Sequence, residues 1–235
     1  MSTSKNLKLK RVNAEINNTF KAAGVLLYSF VKDENTDQLK VKVLIGCEDR
    51  RHKPKGGFLF APFGGKVEQG ENAYETAIRE FNEETAYLFN DDIQHYNDLI
   101  RNPDHTRVFW IPSSKYVLFC TEIDYDDSLS ERFLEIDKTG FTNTDQIFIE
   151  WVDKNRFLRG PRFSNPIFTR DNGEEGKIAS FFISMFGIVD NHLESKLMKR
   201  IEQQSTKTTK SRFTRSSSDD ELVSNMSLSL NLQDD

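Results

Sequence analysis

The sequence predicts an α/β domain built on a mixed β-sheet. Two apolar segments, residues 22–32 and 39–47, are rich in β-branched and aromatic residues and flank the polar sequence DENTDQ, which is the pattern of a β-hairpin. A later segment has an apolar stripe at helical spacing, formed by Tyr74, Ala77, Ile78 and Phe81. Strand-like and helix-like segments continue beyond it. This order predicts one domain in which helices pack on a sheet.

Length and composition fit this domain with polar segments at both ends. The chain has 235 residues, of which only 37% are hydrophobic, and one moderate domain accounts for most of that length. We expect a flexible polar arm over residues 1–18 and the folded domain over residues 19–203. Residues 204–235 are rich in Ser, Thr, Lys and Asp and have little to bury, so we expect a disordered tail.

Charge and cysteine content exclude several classes of protein. A net charge of -5 argues against a protein whose main function is coating nucleic acid, so DNA is not an expected partner. Cys47 and Cys120 form no CxxC pair, which leaves neither a disulfide framework nor a zinc site. The first 18 residues lack an apolar signal segment, and the apolar run over residues 22–31 is too short to span a bilayer. We expect a cytoplasmic protein without a membrane partner.

The elements around the apolar stripe can be taken in order. Residues 58–60 form a short strand that leads into the glycine pair Gly64 and Gly65. Asn72 is a helix N-cap with Glu75 three residues later, which predicts a capping box. We expect this helix to end between residues 88 and 91.

From residue 107 onward, the sequence again predicts both strands and helices. Residues 107–111 and 115–123 predict a second strand pair, and residues 146–152 predict a further strand. Between them, residues 124–145 are expected to form a surface excursion with a helical turn near residues 129–136. Residues 177–203 return to helical spacing and predict a second helix that packs on the sheet.

Three carboxylates lie close together at the end of the first helix. Glu80, Glu83 and Glu84 have helical neighbour spacing, so their like charges destabilise the helix by a few tenths of a kcal/mol. A divalent cation such as Mg²⁺ or Mn²⁺ prefers oxygen ligands and would turn this repulsion into coordination. Taken alone, the cluster is more readily explained as a solvated acidic face, and the wider pattern described below favours the metal site instead.

Two basic loops have the same two interpretations. Residues 48–57 carry Arg50, Arg51, His52, Lys53 and Lys55, and residues 153–176 carry Arg156, Arg159, Arg162 and Arg170. Either loop is a solvated charged segment or a rim that receives substrate phosphates.

The segment FGGKVEQGENAYETAIREFNEETAY resembles the Nudix box. Nearly all positions of the box match, with alanine where the family usually has glycine: Gly65, Glu71, Arg79, Glu80, Phe81, Glu83, Glu84, Ala86 and Tyr87. Six of these positions have a nearly fixed residue type in the family, and all six match: Gly65, Glu71, Arg79, Glu80, Glu83 and Glu84. Since each residue type makes up about 7% of an average sequence, six such matches at the correct spacing are rare by chance. The resemblance implies a Nudix-like α/β/α sandwich with a mixed sheet, and a hydrolase that cleaves a pyrophosphate bond.

The resemblance also implies roles for individual residues. The Gly65 carbonyl and the carboxylates of Glu80, Glu83 and Glu84 would bind Mg²⁺ or Mn²⁺. Glu80, Glu83, Glu84 and Arg79 are the expected catalytic residues. Arg79 would form a salt bridge with Glu71, and this salt bridge would orient the loop and the helix.

Three further expectations concern the base, the substrate and the helix end. Glu80 is the first candidate for the general base, and Glu150 and Glu131 are alternatives outside the box. Substrate phosphates are expected at Arg50, Arg51, Lys53, Lys55 and Lys66. Ala86 replaces a helix-terminating glycine, which favours a helix that runs on through Leu88.

The substrate itself stays open. Phe63 to Val67 is similar to members that act on oxidised purine nucleoside triphosphates, and Pro103 lies near the spacing associated with ADP-ribose hydrolysis. Dinucleoside polyphosphates, inositol pyrophosphates and capped RNA ends are compatible as well. The alternative to a small-molecule pyrophosphohydrolase is a Nudix-fold binding or regulatory module with little catalytic activity.

Overall fold

The computed structural model describes residues 8–9, 12, 14–54, 56–137, 145–159 and 166–206. The chain divides into two units, Met1–Leu193 and Glu194–Asp235. The first unit contains the sheet. Within the second, residues 194–206 are helical.

The described residues of the first unit contain ten strands in one sheet. Their order is β1-β6-β7-β2-β3-β4-β10-β9, with β5 also paired to β2 and β8 to β3. The strands are β1 (Lys8–Leu9), β2 (Ala22–Lys32), β3 (Leu39–Asp49), β4 (Phe58–Ala61), β5 (Phe63–Lys66), β6 (Thr106–Ile111), β7 (Tyr116–Glu122), β8 (Gln146–Asp153), β9 (Ile167–Thr169) and β10 (Glu175–Ile178).

The sheet is mixed, as the sequence predicts. The hairpin of β2 and β3 is antiparallel, whereas β2 pairs with β7 and β4 with β10 in parallel. The long β2 and β3 lie in the middle of the sheet, and seven of the eleven residues in each are buried. The site described below is built against this central pair.

Seven helices lie in the described residues. In the first unit they are α1 (Ala14–Thr19), α2 (Ala73–Glu84), α3 (Ile93–Arg101), α4 (Leu129–Glu135), α5 (Lys154–Leu158), α6 (Ser180–Ile183) and α7, residues 186–193. One core cluster joins residues of α2, α3 and α4 to β2, including Ala77, Ile100, Phe133 and Val25.

A second, aromatic cluster lies on the other face of the sheet. Phe157 of α5 is 5.3 Å from Phe168 of β9 and 5.8 Å from Phe182 of α6, measured between ring centroids. Phe168 in turn is 5.1 Å from Phe60 of β4. Helices therefore cover both faces, which confirms the predicted α/β/α sandwich.

The beginning of α2 follows the sequence prediction closely. The Asn72 side chain accepts hydrogen bonds from the backbone N–H groups of Tyr74 and Glu75, and the Glu75 carboxylate accepts one from the Asn72 N–H. Ala73, Ala77 and Phe81 are buried on its inner face. A capping box and an apolar stripe together fix the helix on the sheet.

The end of α2 differs from the prediction. The helix stops at Glu84 and does not run through Leu88, because Ala86 (φ 50°) and Tyr87 (φ 57°) adopt left-handed backbone conformations. The Ala86 N–H donates to the Glu83 carbonyl at 3.1 Å and the Tyr87 N–H to the Asn82 carbonyl at 2.8 Å. This is the Schellman pattern, in which a glycine usually occupies the position of Ala86. The hydrogen bonds close the helix although alanine stands there.

Several segments carry more structure than the sequence predicts. Helix α1 and strand β1 lie inside the range expected to be an arm, and Ile16 of α1 belongs to the core. The expected loop of residues 153–176 includes α5, β9 and the start of β10, and α3 was not predicted. Most of the arm, and the tail from residue 207 onward, lie outside the described residues. In the part of the chain that is described, no helix is both long and apolar enough to cross a bilayer.

Candidate active site

Arg79 is the centre of a network of ion pairs on α2. Its Nε donates to Glu71 Oε1 at 2.7 Å, and its Nη1 donates to Glu80 Oε1 at 3.0 Å and to Glu83 Oε2 at 3.1 Å. Its Nη2 donates to the Lys66 carbonyl at 2.9 Å. One guanidinium thus joins three carboxylates of the box to the strand that precedes it.

Glu71 is the main partner of Arg79. The hydrogen bond from Arg79 lowers the pKa of Glu71 to about 2, because the charged acceptor is stabilised by a charged donor. Glu71 Oε2 also accepts from the Thr76 hydroxyl at 2.8 Å and from the Glu68 N–H at 3.0 Å. The salt bridge implied by the Nudix resemblance is present, and it links the loop to the helix.

Glu80 faces the glycine pair at the end of β5. A Cβ added to Gly65 would lie 2.4 Å from Glu80 Oε2 and 2.5 Å from Glu80 Oε1. Burial raises the pKa of Glu80, and the charge of Arg79 opposes that rise. Glycine at position 65 therefore makes room for the Glu80 carboxylate against the strand.

Glu84 lies in a different environment from its neighbours. Its Oε2 accepts the Gly64 N–H at 2.5 Å, and its Oε1 accepts the Gln146 Nε2–H at 3.3 Å. Burial raises the pKa of this carboxyl well above its usual range, and the charge of Glu80 raises it further. These donors are neutral, so the half-buried Glu84 carboxylate has no contacting cation among the described residues.

Comparison with known proteins identifies the family. The NUDIX domain model matches residues 24–161, a range that extends from β2 to just beyond α5 and includes all the site residues above. The chain belongs to the Nudix family. Membership supports, in general terms, a Nudix pyrophosphohydrolase. No curated protein matches the sequence significantly.

Several solved structures are similar to this chain. A mutT/nudix family protein from Listeria innocua is 16% identical over 75% of this chain and 95% of that one, with a TM-score of 0.42. The Ap4A hydrolase of C. elegans is 17% identical over 58% and 82%, with a TM-score of 0.29. The Nudix hydrolase RenU from M. Smegmatis is 14% identical over 59% and 73%, with a TM-score of 0.29.

Two residues that adjoin this Nudix site escaped the sequence analysis. Gln146 opens β8 and is 2% exposed. Glu48 lies opposite it on β3, and its charge contributes to the raised pKa of Glu84. The signal that could have found them is strand alternation, since a polar residue within a buried strand is unusual.

The cationic residues expected to bind substrate occupy different positions. Arg50 Nε donates to Glu48 Oε2 at 2.6 Å, which places Arg50 beside the glutamate cluster. Arg51 pairs with Asp49 and lies 4.9 Å from the centre of the Phe58 ring. Lys53 and Lys66 are exposed, and Lys55 lies outside the described residues. In this set, Arg50 is connected to the glutamate cluster through its side chain, and Lys66 is connected to Arg79 through its backbone carbonyl.

The second basic loop and the two alternative base candidates lie elsewhere. Arg156, Arg159 and Arg170 pair with Asp171, Asp190 and Glu150 respectively; Arg162 lies outside the described residues. Glu150 follows Ile149, which packs in the α2 core cluster, so strand alternation directs Glu150 to the other face. Glu131 is exposed on α4. The structure does not bring Glu150 to the box.

The donor set suits a hard divalent cation. In the described residues no three His, Cys, Asp or Glu side chains are already grouped as a metal cluster, and Arg79 contacts two of the three expected ligands. Yet the half-buried Glu84 carboxylate has no contacting cation within that described part, and Gln146 Oε1 is buried there without a hydrogen-bond partner. Carboxylate and carbonyl oxygens of this kind fit Mg²⁺ or Mn²⁺.

Proposed function

We propose that this Nudix protein is a divalent-metal-dependent hydrolase that cleaves a pyrophosphate bond in a nucleoside diphosphate-linked or other polyphosphate substrate. The observation that carries the proposal is the half-buried Glu84 carboxylate, which lies beside Glu80 and the Gly64–Gly65 corner and has only neutral donors among the described residues. A buried anion without a cationic partner is unfavourable. A bound cation removes that penalty.

We assign metal binding and proton transfer to groups of the Nudix box. Glu80, Glu83, Glu84 and the Gly65 carbonyl hold Mg²⁺ or Mn²⁺. When bound, the ion neutralises phosphate charge and makes the attacking water more acidic. Glu80 accepts the proton at Oε2, since its Oε1 already accepts a hydrogen bond from Arg79. Its raised pKa supports that role, because a base works best when its pKa is nearer the working pH.

The substrate phosphates would lie against the cationic residues of the neighbouring loops. Arg50 contacts Glu48 at the edge of the site, and Arg51, Lys53, Lys55 and Lys66 extend the positive charge around it. We place the enzyme in the cytoplasm, in agreement with two buried cysteines, Cys47 and Cys120, that form no disulfide with each other. Its substrate is a small nucleotide or polyphosphate, and capped RNA ends belong to the same chemical class.

A second function is favoured by one observation. Arg79 occupies an oxygen of both Glu80 and Glu83, so two of the three carboxylates expected to bind metal already contact a cation of the chain itself. A Nudix-fold binding or regulatory module would keep this network. Such a module binds a phosphorylated ligand and turns it over slowly or not at all.

A substrate panel separates the two functions. The full chain is assayed with Mg²⁺ or Mn²⁺ against oxidised purine nucleoside triphosphates, ADP-ribose, dinucleoside polyphosphates, inositol pyrophosphates and capped RNA, and products are separated chromatographically. We expect Glu83→Gln to lower turnover at least about 100-fold. Glu135→Gln, an exposed carboxylate on α4, is the matched control. An undiminished Glu83→Gln rate contradicts the hydrolase, and binding without turnover supports the module.

A further inference from the structure

Two side chains outside the box approach Glu84 from other strands. Tyr116 opens β7 and is 3% exposed, and Gln146 opens β8 and is 2% exposed. Tyr116 Oη and Gln146 Oε1 are both buried without a hydrogen-bond partner in the described part of the chain. A buried polar atom without a partner destabilises a fold, so each of these two oxygens requires an explanation.

Three glycines make the space for these oxygens. A Cβ added to Gly24 or Gly64 would lie 2.2 Å or 2.3 Å from Tyr116 Oη, and one added to Gly46 would lie 2.5 Å from Gln146 Oε1. Real Cβ atoms do not approach so closely, so no other residue fits unless the polar groups move. Strands β2, β3 and β5 are therefore adapted to both side chains at once.

Gln146 contacts the Glu84 carboxylate directly, whereas Tyr116 is linked to it through Gly64. Gln146 Nε2 donates to Glu84 Oε1 at 3.3 Å. Tyr116 Oη packs against Gly64, whose N–H donates to Glu84 Oε2 at 2.5 Å. The Tyr116 ring is stacked on Phe181 with 4.6 Å between centroids, which fixes the direction of its hydroxyl. Burial raises the pKa of Tyr116, and the charges of Glu84 and Glu80 raise it further.

We propose that Tyr116 and Gln146 are positioning residues for Glu84, and that the Tyr116 hydroxyl donates to the Glu84 carboxylate when a divalent cation is bound. The inference rests on the proposed function, because the cation is the one assigned to Glu84 there. Groups that hydrogen-bond a metal-binding carboxylate hold its orientation, and their removal lowers metal affinity about 10–100-fold. The hydroxyl is retained without a partner because its partner is the carboxylate in the metal-bound site.

The test measures Mn²⁺ binding by electron paramagnetic resonance and thermal unfolding of the metal-free chain. The variants are Tyr116→Phe, which keeps the ring on Phe181, and Gln146→Met, which has a similar volume and no donor. We expect Mn²⁺ affinity to fall about tenfold in each. The midpoint of unfolding of Tyr116→Phe should stay unchanged or rise, since the variant removes a buried hydroxyl that has no partner.

Tyr28→Phe is the matched control. Tyr28 is a fully buried tyrosine of β2 whose hydroxyl donates to Glu122 Oε2 at 3.3 Å. This variant should unfold at a lower temperature and bind Mn²⁺ as the parent does. The contrast separates a hydroxyl that positions the site from one that only stabilises the fold.

The outcomes distinguish this inference from the proposed function. If the parent binds Mn²⁺ but hydrolyses no substrate, the proposed function fails, and weakened binding in Tyr116→Phe and Gln146→Met still supports positioning. If the parent hydrolyses substrate but Tyr116→Phe binds Mn²⁺ within twofold of it, positioning by Tyr116 is overturned. A lower midpoint of unfolding in Tyr116→Phe, equal to that of Tyr28→Phe, overturns it as well. A parent that binds no Mn²⁺ overturns both.

Discussion

Glu83 and Glu84 are adjacent on α2, yet their carboxylates are compensated in opposite ways. Glu83 shares Arg79 with Glu71 and Glu80, and its side chain is 16% exposed. Glu84 is turned inward to the Gly64 N–H and the Gln146 amide. One side of the helix end is an ion-pair network, and the other is a half-buried carboxylate with neutral hydrogen-bond donors.

The difference shows at which carboxylate a bound cation would lower the electrostatic free energy most. Repulsion between the crowded carboxylates is already relieved for the three that contact Arg79. Neutral N–H donors stabilise an anion less than a charged partner does, and burial has raised the pKa of Glu84. A divalent ion bound at this site would therefore gain most from Glu84.

The largest effect is expected for Glu84→Gln. Hydrolysis should fall by about 1,000-fold, because the site loses the anionic ligand that has no other cation. The free energy of unfolding should stay within about 1 kcal/mol of the parent or rise, since a neutral amide is buried more easily than a carboxylate. Turnover and urea unfolding of the same preparation check both parts. Destabilisation beyond about 3 kcal/mol would show that Glu84 supports the fold as a buried ion.

A smaller loss is expected for Gly65→Ala. The new Cβ meets the Glu80 carboxylate at 2.4 Å, and that carboxylate can swing away because it is the end of a flexible side chain. The fold therefore changes little, while a displaced ligand lowers turnover about 100-fold. Gly57→Ala is the control, because an added Cβ there meets nothing within 4 Å. Equal rates in the two variants would mean that the position of Glu80 is not critical.

The ion pairs of Arg79 are expected to contribute to the free energy of unfolding. Glu71→Gln removes the main partner of Arg79, and we expect a loss of about 1–3 kcal/mol in the free energy of unfolding at pH 7. The folded pKa of Glu71 is lowered to about 2 from an ordinary 4.5. Its contribution is therefore complete above about pH 4.5 and disappears as the pH falls through 2. Urea unfolding at several pH values should show the parent and variant converging in acid; a difference independent of pH contradicts the assignment.

What the sequence could predict depended on the distance along the chain between the interacting residues. The capping box of Asn72 and Glu75 and the pair of Arg79 with Glu71 join residues at most eight positions apart, so spacing alone reveals them. Gln146 reaches Glu84 only because β8 pairs with β3 in one particular register. A single sequence does not show which strands pair, so the surroundings of Glu84 could not be predicted.

The smallest effect is expected at the helix end, where the family pattern and this chain differ. Ala86 is 2% exposed and has a φ of 50°, a conformation that costs an L-residue about 1–2 kcal/mol. Ala86→Gly relieves that strain but removes a buried methyl group worth about 0.8 kcal/mol. The two terms oppose each other, so the free energy of unfolding should change by less than about 1 kcal/mol, with turnover unchanged.

Chemical unfolding and turnover of Ala86→Gly check this balance, and Ala77→Gly in the middle of α2 is the matched control. The control also removes a buried methyl group but relieves no strain, so it should destabilise the chain by about 1–2 kcal/mol. Similar losses in the two variants would show that Ala86 is not strained. In that case the helix would end there because of packing around Phe81 and Phe89, which stack with 5.0 Å between centroids, and not because the backbone tolerates a left-handed alanine.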